Sequence, residues 1–245
     1  MIIYIFVFFI STVFGSFINV VVSRSLLSMD YIFDRSRCLT CQRQLKFWQM
    51  IPVLSYLFLK GKCYYCASPI GISNLLVEIT SGICGLICYI KYSNVEMILY
   101  FILLLFLLYI SLLDWKTKEV KYSHQLILLI IVLCLNIYQA KIYIIEAIIT
   151  LIVLLFILLI TKGIGGADVN IFAIISLLLG NRVIYVYLFS LLYGTIYSIY
   201  LLVIKKASRK YQLAFVLFIF LEVFSTDIYA SQFFTFLPIG ILKSL

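Results

Sequence analysis

EMILYFILLLFLLYISLLD, residues 96–114, decides the fold. An acid stands at each end, Glu96 and Asp114, and the 17 residues between them carry no charge. A run of this kind suits a hydrocarbon core of about 30 Å crossed at about 1.5 Å per residue. It lacks the apolar/polar alternation of a membrane β-barrel. A spanning segment must satisfy its own backbone polar groups, so a helix is expected.

Working outward, the same signal recurs. Helices are expected near 2–23, 74–91, 96–113, 123–139, 142–160, 169–181, 183–204 and 211–229. The chain is 65% hydrophobic and 12% charged, with a mean hydropathy of +1.17, which leaves little room for a soluble fold. The expected class is an all-α polytopic membrane helix bundle of about eight transmembrane helices with a small cysteine-rich cytoplasmic loop domain. Its expected divisions are a first helix (1–23), the loop (24–73), a transmembrane bundle (74–229) and an apolar tail (230–245). The first run could be mistaken for a signal peptide. It has no basic n-region and no small-x-small site before Arg24, so it reads as a retained helix.

A formal charge of +9 invites a nucleic-acid reading, but the placement of the charges argues against one. With the N-terminus outside, 15 of the 19 basic residues fall in inward loops, and only Lys91, Lys141, Arg182 and Lys243 face outward. That is the positive-inside pattern. The charge sets topology and favours membrane lipid of anionic type rather than nucleic acid.

Residues 24–73 form the one long stretch that is not continuously apolar. It holds Cys38-Leu-Thr-Cys41 and, 21 residues on, Cys63-Tyr-Tyr-Cys66. Two CxxC pairs at this spacing suit a closed, tetrahedral structural zinc site. A loop this small has little core of its own, so a metal staple would hold it. Disulfides or reduced thiols are the competing readings; an inward-facing, reducing location disfavours disulfides. Cys84, Cys88 and Cys134 lie in apolar helices and read as small packing residues.

Acids at the mouth of a membrane helix are costly and usually functional. The chain has ten acidic residues. Asp114 ends one apolar run, and Asp168 begins another just after Gly163-Ile-Gly165-Gly166-Ala167. The topology brings both to the inner face although they are 54 positions apart. Glu78 lies near the same face. Each has a bland alternative: Asp168 as a helix cap, Asp114 paired with Lys118 one turn on, Glu78 as a packing residue. Gly163, Gly165 and Gly166 permit unusual backbone conformations and close approach, which would admit an extended peptide beside Asp168. The loop lacks the lysine-hydroxyl pair of a phosphate-binding loop. His124, the single histidine, reads as a surface or capping residue.

Taken together, these residues resemble the type IV prepilin peptidase family of membrane aspartic proteases, from the first helix to about residue 180. The motifs are Gly15-Ser-Phe-Ile-Asn-Val-Val21, the two CxxC pairs around Ile51-Pro-Val-Leu-Ser-Tyr56, Leu59-Lys-Gly-Lys-Cys63, Ile72-Ser73, Val77-Glu78, Asp114 followed by Lys118 and Val120, and Gly163-Ile-Gly-Gly-Ala-Asp168. Three positions depart from the family's pattern. Ala167 replaces the glycine before the second acid, Asn170 stands where lysine is common, and 211–215 lack the usual proline-rich sequence. Alanine does not readily adopt a positive φ, so Ala167 bears on the local geometry.

The resemblance implies Asp114 and Asp168 as the catalytic pair of an endopeptidase in the bacterial cytoplasmic membrane. The substrates implied are prepilins or pseudopilins, whose short basic leader is removed at the cytoplasmic face, with Glu78 a candidate for holding the leader or shaping the loop. It implies S-adenosylmethionine as a cofactor if the new N-terminus is also methylated. Two nearby carboxylates share a proton and titrate as a unit. The rival functions are a proton-coupled transporter, which predicts an inverted repeat and acids near the midplane, and a non-enzymatic scaffold built on the zinc loop.

Overall fold

The structure, a computed structural model, describes residues 2–26, 35–38, 40–161, 165–204 and 213–229. Gly163 and the expected tail 230–245 lie outside the described residues. Among the described residues the chain is helical, with two isolated β-bridges and no strand. The helices are α1 (Ile2–Leu26), α2 (Leu54–Phe58), α3 (Ile72–Lys91), α4 (Asn94–Thr117), α5 (Tyr122–Gln139), α6 (Ile144–Thr161), α7 (Gly166–Leu179), α8 (Val183–Val203) and α9 (Val216–Tyr229). Every expected apolar run is a helix. Short α2 and a 3-10 turn at Phe47–Met50 lie in the loop, where hydropathy gives no signal.

The protein is multi-pass. Among the described residues, five helical stretches are long and apolar enough to cross a membrane: Ile2–Leu26, Ile72–Lys91, Asn94–Thr117, Tyr122–Gln139 and Gly166–Val203. The last is α7 and α8 joined through the turn Gly180–Arg182, where Gly180 has φ +56°. A positive φ just past a helix end is where glycine costs least. Helices α6 and α9 contribute shorter apolar segments.

The chain falls into two compact units, Met1–Phe101 and Ile102–Leu245, divided within α4. In the first, α1 packs against α3 through matched small residues. Ser11 and Gly15 are one turn apart on α1, and Ser81 and Gly85 one turn apart on α3. A Cβ built on Gly15 would collide with the Ser81 side chain, and one on Gly85 with that of Ser11. The crossing order makes the helices antiparallel, and Ser81 Oγ donates to the Ser11 carbonyl at 2.9 Å. Small residues four apart let membrane helices approach closely, which gains dispersion contacts where lipid supplies no hydrophobic drive. This is the physical content of Gly15 in the first-helix motif.

In the second unit α7 packs on α5, α6 and α8, and α8 on α9. Val169, Ile171, Phe172 and Ile175 of α7 are buried at its centre. Two side-chain amides tie α5 to α7 near either end. Asn170 Nδ2 donates to Gln125 Oε1 at 2.9 Å, and Asn136 Nδ2 to the Leu177 carbonyl at 3.0 Å. These helices are therefore parallel, as an intervening antiparallel α6 requires.

Among the helix ends that differ from the sequence reading, three bear on the site. Helix α4 continues to Thr117, so Asp114 lies inside its last turn. Helix α7 begins at Gly166 after an N-cap at Gly165, so Asp168 is its third residue and not its cap. Helix α9 begins at Val216 rather than 211, with the Phe215 carbonyl accepting from Phe218 and Ile219 N–H at 3.0 and 3.3 Å.

Candidate active site

Asp114 and Asp168 are both in the second unit. Asp114 is buried, with 7% of its surface exposed. An acid in the last turn of a helix opposes that helix's dipole, so it needs a compensating partner. The partner is the first residue of α9: the Val216 backbone N–H donates to Asp114 Oδ2 at 3.2 Å. That hydrogen bond occupies one of the four donors that every helix start leaves unpaired, and the carboxylate faces the favourable end of the α9 dipole. Lys118, the expected partner, lies with Nζ 5.1 Å above the Trp115 ring and contributes its charge at Asp114.

Asp168 is half-buried in the first turn of α7, and its carboxylate accepts from the Gly165 backbone N–H. A third-position acid reaching back to the N-cap N–H is half of a capping box. The bland capping role is thus met in a modified form, with Gly165 as the cap. Asp114 and Asp168 lie close enough to interact electrostatically.

Gly165 has φ −70° and ψ 139°, a conformation open to any residue. Its glycine is explained by contact: an added Cβ would lie 2.9 Å from Asp168 Oδ2. Among the described residues, an added Cβ on Gly166 meets nothing within 4 Å, so the backbone two residues before Asp168 is open on that side. Ala167 is helical and is not among the positive-φ residues. The methyl group that departs from the family's pattern carries no backbone strain here. Gly165→Ala should leave the fold intact and lower turnover by about 10- to 100-fold through displacement of the Asp168 carboxylate. Purified variant and wild type compared at saturating substrate would measure it.

Asn170, the second departure, bonds to Gln125, whose own Nε2 donates to the Val120 carbonyl at 3.2 Å. Sequence reasoning missed this link; its signal was an amide side chain beside an apolar run at each partner's position. His124 lies with Nε2 3.3 Å from Tyr109 Oη, between α5 and α4.

In the first unit the two CxxC pairs form matched knuckles. Cys38 N–H donates to the Arg43 carbonyl at 3.0 Å and Cys63 N–H to that of Ser68 at 2.8 Å, each five residues on. The residue after each second cysteine has a positive φ, 57° at Gln42 and 54° at Ala67. Each also closes its knuckle by donating to the carbonyl of the first cysteine, at 2.9 and 3.0 Å. The four sulfurs lie within 4.8 Å of one another, and Cys38 Sγ is 3.8 Å from Cys66 Sγ. A tetrahedron with bonds of about 2.3 Å has edges of about 3.8 Å, so the cluster can bind a metal ion. The Cys41 N–H, aided by that of Thr40, holds the Cys38 thiol down at about 6, which favours the ligating thiolate. Cys38, Cys41, Cys63 and Cys66 are thiols rather than disulfides, against the disulfide reading.

Glu78 connects this loop to the membrane helices. Its Oε2 accepts from the Val53 N–H at 2.7 Å, and the carboxylate also takes the Ser16 hydroxyl of α1. Val53 has φ 62° and ψ −53° in a γ-turn closed by Leu54 N–H to the Pro52 carbonyl at 2.6 Å. A β-branched residue there is strained, and Glu78 helps to fix it. Glu78 thus joins the Val53 turn to α1 and α3 through hydrogen bonds.

The sequence matches the family model for the bacterial Peptidase A24 N-terminal domain over residues 9–92, and that for the type IV leader peptidase family over residues 101–199. The first span contains Glu78 and the cysteine cluster; the second contains both aspartates. A Myxococcus xanthus prepilin leader peptidase/N-methyltransferase is 37% identical over 84 residues, covering 34% of this chain and 25% of that protein. A Klebsiella pneumoniae protein of the same name is 32% identical over 120 residues, covering 46% of this chain and 53% of that protein. One from Vibrio cholerae is 37% identical over 79 residues, covering 29% and 31%. These matches thus span 25% to 53% of the relatives' length. No solved structure matches.

Proposed function

Since the chain belongs to the type IV leader peptidase family, we propose that it is a membrane aspartic endopeptidase. Its substrates are prepilins or pseudopilins, and it removes their leader at the cytoplasmic face of the bacterial membrane. One observation carries the reading: two acids 54 positions apart in sequence interact at the end of α4 and the start of α7, each held by a backbone N–H. A packing acid has no need of a second acid beside it, whereas peptide hydrolysis by the aspartyl mechanism does.

In this mechanism one proton is shared by the pair. The ionised carboxylate takes a proton from water, and the water oxygen bonds to the scissile carbonyl carbon. The other carboxyl gives its proton to the carbonyl oxygen. Collapse of the tetrahedral intermediate breaks the C–N bond: one hydroxyl returns its proton to the second carboxylate as the carbonyl re-forms, and the amine leaves with the proton taken from water. One water is consumed and the pair returns to its starting charge. The pair titrates as a unit. The space beside Gly166 supports entry of an extended chain, and Gly165 lets the Asp168 carboxylate lie against the backbone. Glu78 takes part as a positioning residue for the Val53 turn.

The orientation proposed is N-terminus outside and aspartates inside, on the strength of the basic inward loops. Methylation of the new N-terminus with S-adenosylmethionine rests on the relatives' names alone, and no residue of this chain is assigned to it. Co-expression with a prepilin or pseudopilin tests the main reading, with leader loss followed by mass spectrometry. A substrate left intact beside folded, membrane-inserted protein would sink it.

The metal at Cys38, Cys41, Cys63 and Cys66 is proposed to be zinc in a structural role, since four thiolates leave no open position for substrate. Purified protein should contain about one zinc per chain. Cys63→Ser should lose it and expose the 35–71 loop to limited proteolysis. Zinc-free protein with unchanged proteolytic resistance would refute the assignment.

A further inference from the structure

The loop between α1 and α3 carries a face that the proposed chemistry does not use. Its described residues, 35–38 and 40–71, include Arg35, Arg37, Arg43, Lys46, Lys60 and Lys62 and no acidic residue. The same segment exposes large apolar side chains: Phe47 at 83%, Phe58 at 78%, and also Trp48, Met50, Leu57 and Tyr64. Trp48, Tyr64, Tyr65 and Arg43 form a connected row. Trp48 and Tyr64 meet edge-on with centroids 5.4 Å apart, Tyr64 meets Tyr65 at 5.3 Å, and the Arg43 guanidinium lies 5.4 Å from the Tyr65 centroid. The turn bearing Phe47 and Trp48 packs on α2, which bears Leu57 and Phe58. An exposed apolar patch of this extent marks a binding surface.

Position identifies the occupant. Helices α1 and α3 are antiparallel spans, so both ends of the loop leave the bilayer together. The Val53 N–H is bound to Glu78, six residues into α3. That places the start of α2 level with a point about 9 Å inside that span. Ile72 and Leu76, in the first turns of α3, are themselves exposed and apolar, as for residues facing lipid. Leu57 and Phe58 are thus presented at the depth of the membrane interface. Tryptophan and tyrosine favour that depth, and lysines beside them extend to the phosphates. Over residues 27–71 the six basic residues outnumber the two acids, Asp30 and Asp34, and this positive excess complements a surface of anionic lipid.

We propose that this aromatic and basic face of the loop docks onto the anionic headgroup region of the bilayer, seating the metal-binding knuckles against the membrane. The inference does not depend on the protease reading.

Fluorescence quenching of the full chain tests it. The chain has two tryptophans, so Trp115→Phe leaves Trp48 as the reporter, and Trp48→Phe gives the background from Trp115. In nanodiscs containing phosphatidylglycerol, lipids brominated near the headgroup should quench Trp48 about twofold and neutral aqueous acrylamide should quench it weakly. Replacing phosphatidylglycerol by phosphatidylcholine, or introducing Lys46→Gln, Lys60→Gln and Lys62→Gln together, should reverse that order. Trp48 open to acrylamide and insensitive to brominated lipid in both bilayers would overturn the proposal and leave the face to a soluble peptide or protein. Equal bromine quenching in both bilayers, unmoved by the triple variant, would overturn the role of charge. Circular dichroism and zinc content of each variant confirm that the fold is retained.

Discussion

Asp114→Asn and Asp168→Asn should each lower leader removal by at least about a thousandfold, the upper range for loss of general acid–base catalysis. Asparagine keeps the size of the side chain and an oxygen that accepts from Val216 or Gly165. Helix α9 and the start of α7 should therefore stay in place. What disappears is the carboxylate's capacity to exchange a proton with water. Expression, membrane insertion and thermal stability should remain near wild type while substrate accumulates uncut. Processing by both variants would refute the aspartyl mechanism. That result would point to a different catalytic group, whereas no processing even by the wild type would point to a scaffold.

Val216→Pro should reduce kcat by about 10- to 100-fold with KM nearly unchanged. Proline removes one N–H, and loss of a hydrogen bond to a charged group costs about 1.5–3 kcal/mol. The site is suited to this test because Val216 is the first residue of α9, where proline is tolerated and its fixed φ is already helical. The preceding N-cap residue ordinarily has the extended backbone that proline demands of its neighbour. Val216 is fully buried, so lost packing must be separated from the lost donor. Val216→Ala does so, since it trims the side chain and keeps the N–H. Alanine should retain most of the wild-type turnover. Equal losses in both variants would mean that packing, and not the donor to Asp114, is what matters.

These two experiments probe different levels of legibility. Asp114 and Asp168 stand out in the sequence because a charge at the edge of an apolar run has few structural reasons to be there. Their partners do not stand out. The i,i+4 rule offers Lys118 to Asp114, but the hydrogen bond comes from a backbone N–H 102 positions away. A main-chain donor leaves no trace in residue type. Ala167 shows the reverse: a change of residue type implied altered geometry, and the helix around it absorbs the methyl without strain.

The cysteines follow the same division. Their spacing announces a four-sulfur site because each CxxC can present two thiolates from one turn. Residue types give no hint that Gln42 and Ala67 take the left-handed conformation that closes each knuckle, since neither is glycine or asparagine. Val53 is more extreme, a β-branched residue whose strained turn is held by Glu78 on a different element.

The sequence by itself determined that the chain crosses a membrane as helices, which acids are costly, and which cysteines can share an ion. Those properties depend on neighbours within a few residues or on transfer from water to lipid. Only the tertiary structure decided that Ser11 and Gly15 meet Gly85 and Ser81, that Gly165 yields space to a carboxylate, and that α9 caps Asp114. Those are meetings between surfaces far apart along the chain. They are fixed by how the helices pack, and no local pattern encodes the partner.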